Sequence, residues 1–284
     1  MKILVTGYGG QLGYDVVREG LNRDLEIIGA NRSDLDITSE DNVRDFVNKI
    51  NPDAIIHCAA YTAVDKAEEE KELCWDVNVQ GTRNLVEAAR SNNAKFLYIS
   101  TDYVFDGKGE KPFFETDIPN PISYYGRTKY EGEKIVQELL KNWFIVRISW
   151  VFGINGQNFI KTMLRLSESN DQLNIVNDQY GSPTYTFHLA SLLLDIVHSD
   201  KYGLYHATNE GICSWAEFAM EIFRQSSKST RVNPITTAEY PTRAVRPANS
   251  RMSKQKLIDN GFKPLPKWQD AIKDYLTELT QEVE

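Results

Sequence analysis

The chain has 284 residues, of which 41% are hydrophobic and 25% charged, a balance typical of a soluble globular protein. The 32 basic and 40 acidic residues give a net charge of −8, which argues against binding to nucleic acid or to an anionic membrane surface. No apolar run reaches the roughly 18 residues that a membrane span needs. The three cysteines form no CxxC pair and the four histidines show no HExxH spacing, so the sequence predicts a cytoplasmic protein, excludes a cysteine-based zinc site and disfavours a metal hydrolase.

The N-terminal half alternates strand and helix signals. Short apolar runs predict five strands, at Lys2–Gly7, Glu26–Ala30, Ala54–Cys58, Phe96–Ser100 and Phe144–Arg147. Apolar residues at helical spacing predict helices over Cys74–Ser91, over Tyr125–Lys141 and after Thr38-Ser39-Glu40-Asp41, which resembles a capping box. Strands that alternate with helices imply right-handed crossovers and a parallel sheet covered on both faces.

Beyond Trp150 the pattern is less regular. A sixth short strand is predicted at Gly203–His206, and Ser214 with Glu217 forms a second capping box. Three prolines and little periodicity over Pro234–Asn249 predict a long loop. The remaining helices are predicted over Phe159–Glu168, Thr186–His198, Ser214–Phe223, Ser253–Asn260 and Trp268–Glu282. The predicted fold class is therefore α/β, a Rossmann-like doubly wound parallel sheet with a smaller α/β domain toward the C-terminus.

A glycine-rich turn follows the first strand and opens a helix. Its glycines, Gly7, Gly10 and Gly13, are spaced for a tight turn, a close approach of the backbone to a pyrophosphate and close packing of helix on strand. The phosphate charge would lie at the helix N-terminus, where free N–H groups and the helix dipole favour an anion. The motif predicts a dinucleotide site.

The end of the second strand bears on which dinucleotide binds. A site for NAD usually has Asp or Glu there to bind the ribose 2′-hydroxyl, whereas this chain has Asn31 and Arg32. An arginine can pair with a 2′-phosphate, so the sequence favours NADPH. Asp34 and Asp36 follow at once and would oppose a 2′-phosphate, so NADH stays an alternative.

A second constellation predicts acid–base chemistry. Tyr125 and Lys129 are four residues apart, which places them on one face of a helix. An ammonium group favours the phenolate and can lower a tyrosine pKa from its usual value near 10. Thr101, at the end of the fourth strand, would hold a substrate carbonyl or tune the phenol. These three residues are the predicted catalytic group.

Together the motifs resemble the extended short-chain dehydrogenase/reductase superfamily. Longer strings are similar to the dTDP-4-dehydrorhamnose reductase family, and they span nearly the whole chain: Cys58–Glu68, Ser100–Gly107, Arg147–Phe152, Asn177–Thr184 and Arg246–Arg251. The resemblance implies reduction of dTDP-4-dehydro-6-deoxy-L-mannose to dTDP-L-rhamnose, the last step in making that sugar donor. It also implies a dinucleotide-binding domain at residues 1–151 and 184–211 and a nucleotide-sugar domain at residues 152–183 and 212–284.

The resemblance also implies a role for each matching residue. The residues that match the family's pyrophosphate turn are Gly10, Gln11 and Leu12. Those that match its contact with the adenine side are Asp36 and Ile37, and those that match its contact with the nicotinamide side are Ala60, Tyr61 and Thr62. Tyr125 would be the proton donor, and Lys129 its partner and a ribose contact. The residues facing the nucleotide sugar would be Thr101, Asp102, Tyr103 and Trp150.

Three questions stay open at this level. Some members of the family hold magnesium between subunits through glutamates, and the first such position here is Asp15, so magnesium and a homodimer are not settled. Nucleotide-sugar epimerases and dehydratases share the superfamily, although Tyr103 after Asp102 disfavours a dehydratase, which often has an Asp-Glu pair there. A relative that regulates methionine adenosyltransferase offers a non-catalytic alternative, which Tyr125 and Lys129 disfavour.

Overall fold

The structure, a computed structural model, describes residues 1–281. The strands are β1 Lys2–Thr6, β2 Glu26–Ala30, β3 Ala54–His57, β4 Lys95–Thr101, β5 Trp143–Ile148, β6 Val151–Phe152, β7 Gln172–Val176, β8 Tyr180–Gly181, β9 Thr184–Tyr185, β10 Gly203–His206, β11 Cys213–Ser214 and β12 Arg231–Ile235. The helices are α1 Gln11–Asn22, α2 Glu40–Ile50, α3 Val64–Ala67, α4 Lys71–Trp75, α5 Gly81–Ser91, α6 Tyr124–Leu139, α7 Phe159–Ser167, α8 Thr186–His198, α9 Trp215–Gln225, α10 Gln255–Asp259 and α11 Trp268–Gln281. A π-helical turn, Asp76–Gln80, joins α4 to α5.

Six parallel strands form the central sheet in the order β10-β5-β4-β3-β1-β2. Thr6 at the end of β1 lies opposite both Ala30 and His57, and Thr101 at the end of β4 lies opposite Ile148. The carboxyl ends of these strands therefore meet at one edge, where ligands bind in open α/β sheets. The sheet confirms the predicted fold class.

Both faces of the sheet are buried, which explains why its strands are apolar runs and not alternating ones. Along β1, Ile3 and Val5 face α1 and α8, whereas Leu4 between them faces the core formed with α2 and α5. Full burial of each such side chain contributes about 1.5–3 kcal/mol. Packing on both faces holds the strands in place, and with them the sheet edge on which the predicted site residues lie.

The C-terminal part has a separate aromatic core and three small two-stranded sheets, β12-β7, β11-β8 and β6-β9. This core contains Phe152, Phe218, Trp268 and Tyr275. Helix α8 packs on the central sheet and β10 joins that sheet. These two elements therefore belong to the N-terminal part, although they lie between elements of the C-terminal part in the sequence. Over residues 1–281, no helix combines the length and apolar character needed to cross a membrane.

The helix caps differ in part from the prediction. The second capping box is confirmed, since Ser214 Oγ accepts from the Glu217 N–H at 3.1 Å and Glu217 accepts from the Ser214 N–H at 2.7 Å. The first was wrong by one residue: Ser39 caps α2, accepting from the Asn42 N–H at 3.3 Å. Thr38 is not free for capping, because its hydroxyl donates to Asp36.

The predicted loop over Pro234–Asn249 was wrong at its start, because Pro234 lies within β12, opposite Ile175 of β7. A proline fits there since a two-stranded sheet leaves each strand with an unpaired edge. The rest of the segment crosses to the N-terminal half of the chain. Its Ala244 N–H donates to Asp65 at 3.0 Å, and Arg246 donates to the same carboxylate at 2.7 Å.

Candidate active site

A cleft of about 660 Å³ follows the carboxyl edge of the central sheet, a volume in the usual range of small-molecule sites. Every site residue predicted from the sequence lines it: Gly7, Gly10, Gln11, Leu12, Gly13, Arg32, Asp36, Ile37, Ala60, Tyr61, Thr62, Thr101, Asp102, Tyr103, Tyr125, Lys129 and Trp150. The structure therefore brings the glycine turn and the tyrosine–lysine pair into one site.

The glycine turn is shaped for a ligand that approaches its backbone. Gly7 has a φ of +74°, and a Cβ on it would lie only 2.6 Å from the Ala59 nitrogen. The Gly10 N–H donates to the Gly7 carbonyl at 2.9 Å and closes the turn. Gly10 then caps α1 without a side chain, and the first turn of α1 has no acidic residue. This bare, positive helix end suits a pyrophosphate.

The end of the cleft beside β2 carries one basic and one acidic side chain. Arg32 is exposed, and Asp36 accepts from the Thr38 hydroxyl at 2.7 Å and the Thr38 N–H at 3.0 Å. These hydrogen bonds, with a smaller contribution from Arg32, hold the pKa of Asp36 below its ordinary value. An ionised Asp36 and a cationic Arg32 therefore stand at the same end of the cleft.

Tyr125 lies in the first turn of α6, whose N-terminus is capped by Ser123 Oγ accepting from the Gly126 N–H at 3.1 Å. The Tyr125 ring meets the edge of the Tyr103 ring with centroids 5.7 Å apart, and both line the cleft. Thr101 donates its hydroxyl to Asp102 at 3.0 Å and accepts from the Tyr103 N–H at 3.2 Å. These bonds orient the threonine beside the tyrosine.

The pKa of Tyr125 is shifted in the opposite direction from the prediction that Lys129 lowers it. Burial, and then the charge of Asp102, raise the pKa of Tyr125 above its ordinary value, and the Thr101 side chain opposes them. Burial also lowers the pKa of Lys129 to about 7. For both groups, desolvation is the largest cause of the shift in pKa. The result is a neutral phenol, the form that donates a proton.

Asp102 is fully buried between the strand end and the C-terminal segment. Its carboxylate accepts from the hydroxyls of Ser250 and Thr101. Burial nevertheless raises the pKa of Asp102 to about 6, and these hydrogen bonds only partly offset it. A buried carboxylate whose charge is disfavoured at a cleft is a common feature of functional sites.

This shift predicts a pH-dependent stability difference. The pKa of Asp102 rises from 3.8 to about 6 on folding, so the folded protein binds the extra proton between those values and loses stability as the pH rises through them. Asp102→Asn has no such proton. Its free energy of unfolding, relative to that of the parent protein, should therefore grow by about 2 kcal/mol from about pH 4 to about pH 7.

Urea unfolding at several pH values measures this difference. Asp36→Asn is a control of opposite sign, because the pKa of Asp36 is lowered in the folded protein and that variant should lose relative stability as the pH rises. A stability difference for Asp102→Asn that does not change with pH would contradict the prediction.

Trp150 forms an apolar wall of the cleft. Its indole stacks on that of Trp215 with centroids 3.7 Å apart and an interplanar angle of 12°. The backbone of Trp150 has a φ of +50°, which is unusual for a large side chain and is held by packing around it. A Cβ on Gly181 would meet the indole at 2.8 Å. The fixed, flat ring suits contact with a sugar.

Asn78 supports the lining of the cleft from behind, and sequence reasoning missed it. It lies buried in the π-helical turn, accepts from the Tyr61 N–H at 2.8 Å, and donates to the Tyr61 carbonyl at 3.2 Å and to the Thr128 hydroxyl at 3.0 Å. The side chain thus holds the 60–62 segment against α6. The π turn that aims it, a feature frequent at functional sites, has no signature in apolar periodicity.

Comparison with known proteins identifies the family. The family model of the RmlD substrate binding domain matches residues 1–281. The dTDP-4-dehydrorhamnose reductase of Aggregatibacter actinomycetemcomitans is 43% identical over 287 residues, covering 96% of this chain and 97% of that protein. The chain belongs to the dTDP-4-dehydrorhamnose reductase family. The predicted family is therefore confirmed, and with it the prediction of an NAD(P)H-dependent oxidoreductase.

Solved structures in the dTDP-4-dehydrorhamnose reductase family share the whole fold. The one from Clostridium acetobutylicum is 42% identical, with a TM-score of 0.96, and the match covers 99% of this chain and 100% of that one. The one from Bacillus anthracis, solved in complex with NADP, is 41% identical, with a TM-score of 0.95 and coverage of 98% and 100%. The likeness includes the C-terminal part.

The residues around Asp15 do not fit the magnesium ion that some dTDP-4-dehydrorhamnose reductases hold. Asp15 is fully buried, and its carboxylate oxygen Oδ1 lies 3.0 Å from Arg18 Nη2. The other carboxylate oxygen accepts a hydrogen bond from the Thr186 hydroxyl. Arg18 also pairs with Glu278, so a guanidinium already supplies the positive charge between two carboxylates. Across residues 1–281, no group of three or more His, Cys, Asp or Glu side chains could hold a metal ion.

Proposed function

We propose that this chain reduces the C4 ketone of dTDP-4-dehydro-6-deoxy-L-mannose to dTDP-L-rhamnose, the last step in making that sugar donor. The observation that carries the proposal is the single cleft that contains the glycine turn, Tyr125, Lys129 and Thr101. The names of relatives that are 41–43% identical over nearly the full chain support it.

The chain's own residues would bind the cofactor at the glycine turn. The backbone of Gly10, Gln11 and Leu12, with the start of α1, would hold the pyrophosphate, and the segment 60–62 would lie beside the nicotinamide. A reduced nicotinamide, when bound, supplies the hydride for C4. Asn78 keeps the 60–62 segment in place.

The proton would come from Tyr125. Its buried neutral phenol donates to the ketone oxygen as negative charge develops there, and the Thr101 hydroxyl and the Lys129 ammonium stabilise that charge. Asp102, Tyr103 and Trp150 would face the sugar. The proposed division assigns residues 1–151 and 184–211 to the dinucleotide and residues 152–183 and 212–284 to the nucleotide sugar. The separate aromatic core of the C-terminal part supports it.

The direct test follows the loss of nicotinamide absorbance when purified protein meets dTDP-4-dehydro-6-deoxy-L-mannose, with NADPH and NADH in separate reactions. Rapid oxidation that forms dTDP-L-rhamnose is expected. No oxidation with either cofactor, although the dinucleotide binds, would overturn the proposal in favour of an epimerase or a regulatory subunit. A homodimer and a cytoplasmic location stay predictions, and the free thiols of Cys58, Cys74 and Cys213 are consistent with that location.

The preference for NADPH depends on Arg32. Arg32→Ala should lower kcat/KM for NADPH about tenfold and leave that for NADH nearly unchanged, because the variant loses a charge-assisted contact with the 2′-phosphate. Arg44→Ala is the matched control, since Arg44 is another exposed arginine that pairs with Asp41 on α2. Equal losses with both cofactors would contradict a role for Arg32 in choosing between them.

A further inference from the structure

A buried ion pair behind Lys129 has no part in the chemistry described above. Arg147 Nε donates to Glu133 Oε1 at 2.8 Å, and Arg147 Nη2 donates to Glu133 Oε2 at 2.7 Å. Ser100 Oγ donates to the same Oε1 at 2.5 Å. All three residues are 2% exposed or less. Such a pair adds little to stability, since apolar residues of similar volume often replace one without loss.

The position of this pair relates it to the cleft. Glu133 follows Lys129 by four residues on α6, so the two side chains lie on one helix face, one turn apart. Ser100 and Arg147 are register partners on β4 and β5. Ser100 immediately precedes Thr101, which lines the cleft. The Glu133 carboxylate is therefore held between helix and sheet, and it belongs to the same face of α6 as Lys129.

Within residues 1–281, the other groups that favour the charged form of Lys129 are thiols. His57 and Cys58 come from the end of β3 and the residue after it, and Cys74 comes from α4. The Lys129 ammonium nitrogen lies 4.1 Å from the centre of the Tyr98 ring. Burial in this pocket lowers the pKa of Lys129 to about 7, and among the groups that oppose this shift Glu133 contributes most.

We propose that Glu133 is a positioning residue for the reduction, because its carboxylate, held by Arg147 and Ser100, keeps Lys129 in the ammonium form beside Tyr125. The inference rests on the proposed function for the role of Lys129. Ser100 can hold the carboxylate without Arg147, and the proposal explains why an ion pair of little value to stability lies directly behind the reacting end of the cleft.

The test compares two variants that both lack Arg147. Glu133→Gln alone would leave a buried guanidinium unpaired and is expected to fold poorly. The double variant Glu133→Gln/Arg147→Met removes both charges, whereas Arg147→Met retains the carboxylate, which still has the Ser100 hydroxyl as a hydrogen-bond donor and Lys129 as a counter-charge. Circular dichroism and thermal unfolding check that each is folded. A merely structural role for the pair would affect both variants alike.

The readout is the pH profile of kcat for NADPH-dependent reduction. In the double variant the high-pH limb should move down by about one pH unit, which is about a tenfold loss of kcat near pH 8 and little loss near pH 6. In Arg147→Met the high-pH limb of the kcat profile should stay at the same pH or move to higher pH. Unchanged profiles in both variants, or equal losses at every pH, would overturn the proposal.

A second readout separates this inference from the proposed function. In protein labelled with ¹³C-lysine, the Lys129 resonance is assigned by its absence in Lys129→Met, and its titration reports the charge of Lys129 without turnover. Its midpoint should fall in the double variant and not in Arg147→Met. A midpoint that is equal in both variants overturns the role of Glu133 even where the reductase reaction is observed. A shifted midpoint in a protein that reduces no ketosugar supports the effect of Glu133 on the charge of Lys129 and overturns the proposed function.

Discussion

Tyr125→Phe should lower the turnover of the ketosugar by at least about 100-fold and leave NADPH binding nearly unchanged. The variant loses the proposed proton donor, and general acid catalysis commonly contributes a factor of about 10²–10⁴. The ring itself stays, so its edge contact with Tyr103 and its packing in the cleft are retained. Steady-state oxidation of NADPH and fluorescence titration of NADPH measure the two quantities separately.

Tyr124→Phe is the matched control. Tyr124 is the neighbouring tyrosine on α6, but its ring lies under Lys71, with the ammonium nitrogen 5.6 Å from the ring centre, and it does not line the cleft. Loss of the same hydroxyl there should leave turnover within about twofold of the parent protein. Normal turnover by Tyr125→Phe, or an equal loss in both variants, would show that Tyr125 is not the acid.

Gly13→Ala should lower the melting temperature and weaken NADPH binding at least about tenfold, against the usual helix preference. In a helix interior, alanine is ordinarily better than glycine by about 1 kcal/mol. Here the added methyl would overlap the carbonyl of Gly7 and lie 2.7 Å from its carbon, so the turn must shift. Such overpacking costs about 1–3 kcal/mol, and the turn that moves is the proposed pyrophosphate site.

Gly9→Ala is the control within the same turn. The nearest heavy atom to a Cβ on Gly9 is the Asn31 Cβ at 3.9 Å, an ordinary contact, and Gly9 is exposed. Its melting temperature, measured by calorimetry, should match that of the parent protein to within about 2 °C. If Gly13→Ala were as stable as Gly9→Ala and bound NADPH normally, the close packing of α1 on the turn would not be what requires glycine.

Sequence reasoning was most informative about features that are local in the chain. The turn requires glycine at positions 7, 10 and 13, because a Cβ there would disturb its backbone conformation or its close contacts. Three residues at short spacing are therefore enough to predict it. The spacing of Tyr125 and Lys129 is a property of one helix. Parallel strands then carry such segments to one edge of a sheet, so the whole predicted site lies in one cleft.

The failures are equally physical. The pairing of β12 with β7 joins segments far apart in the chain, and neither has the apolar character that marks a buried strand. Asn78 acts through a π turn that shifts its side chain from the regular helix positions. The sequence also gave no sign that Arg18 bridges Asp15 and Glu278, because Arg18 and Glu278 are 260 residues apart.

By itself, the sequence determined the α/β class, the glycine turn after the first strand and the tyrosine–lysine pair that we propose as the catalytic group, since each depends on residue type and short spacing. Only the tertiary structure decided the charge states in that group. Burial raises the pKa of Tyr125 and lowers that of Lys129, and a carboxylate fixed by β4 and β5 opposes the second shift. Desolvation depends on everything that surrounds a side chain, and no short stretch of sequence contains that information.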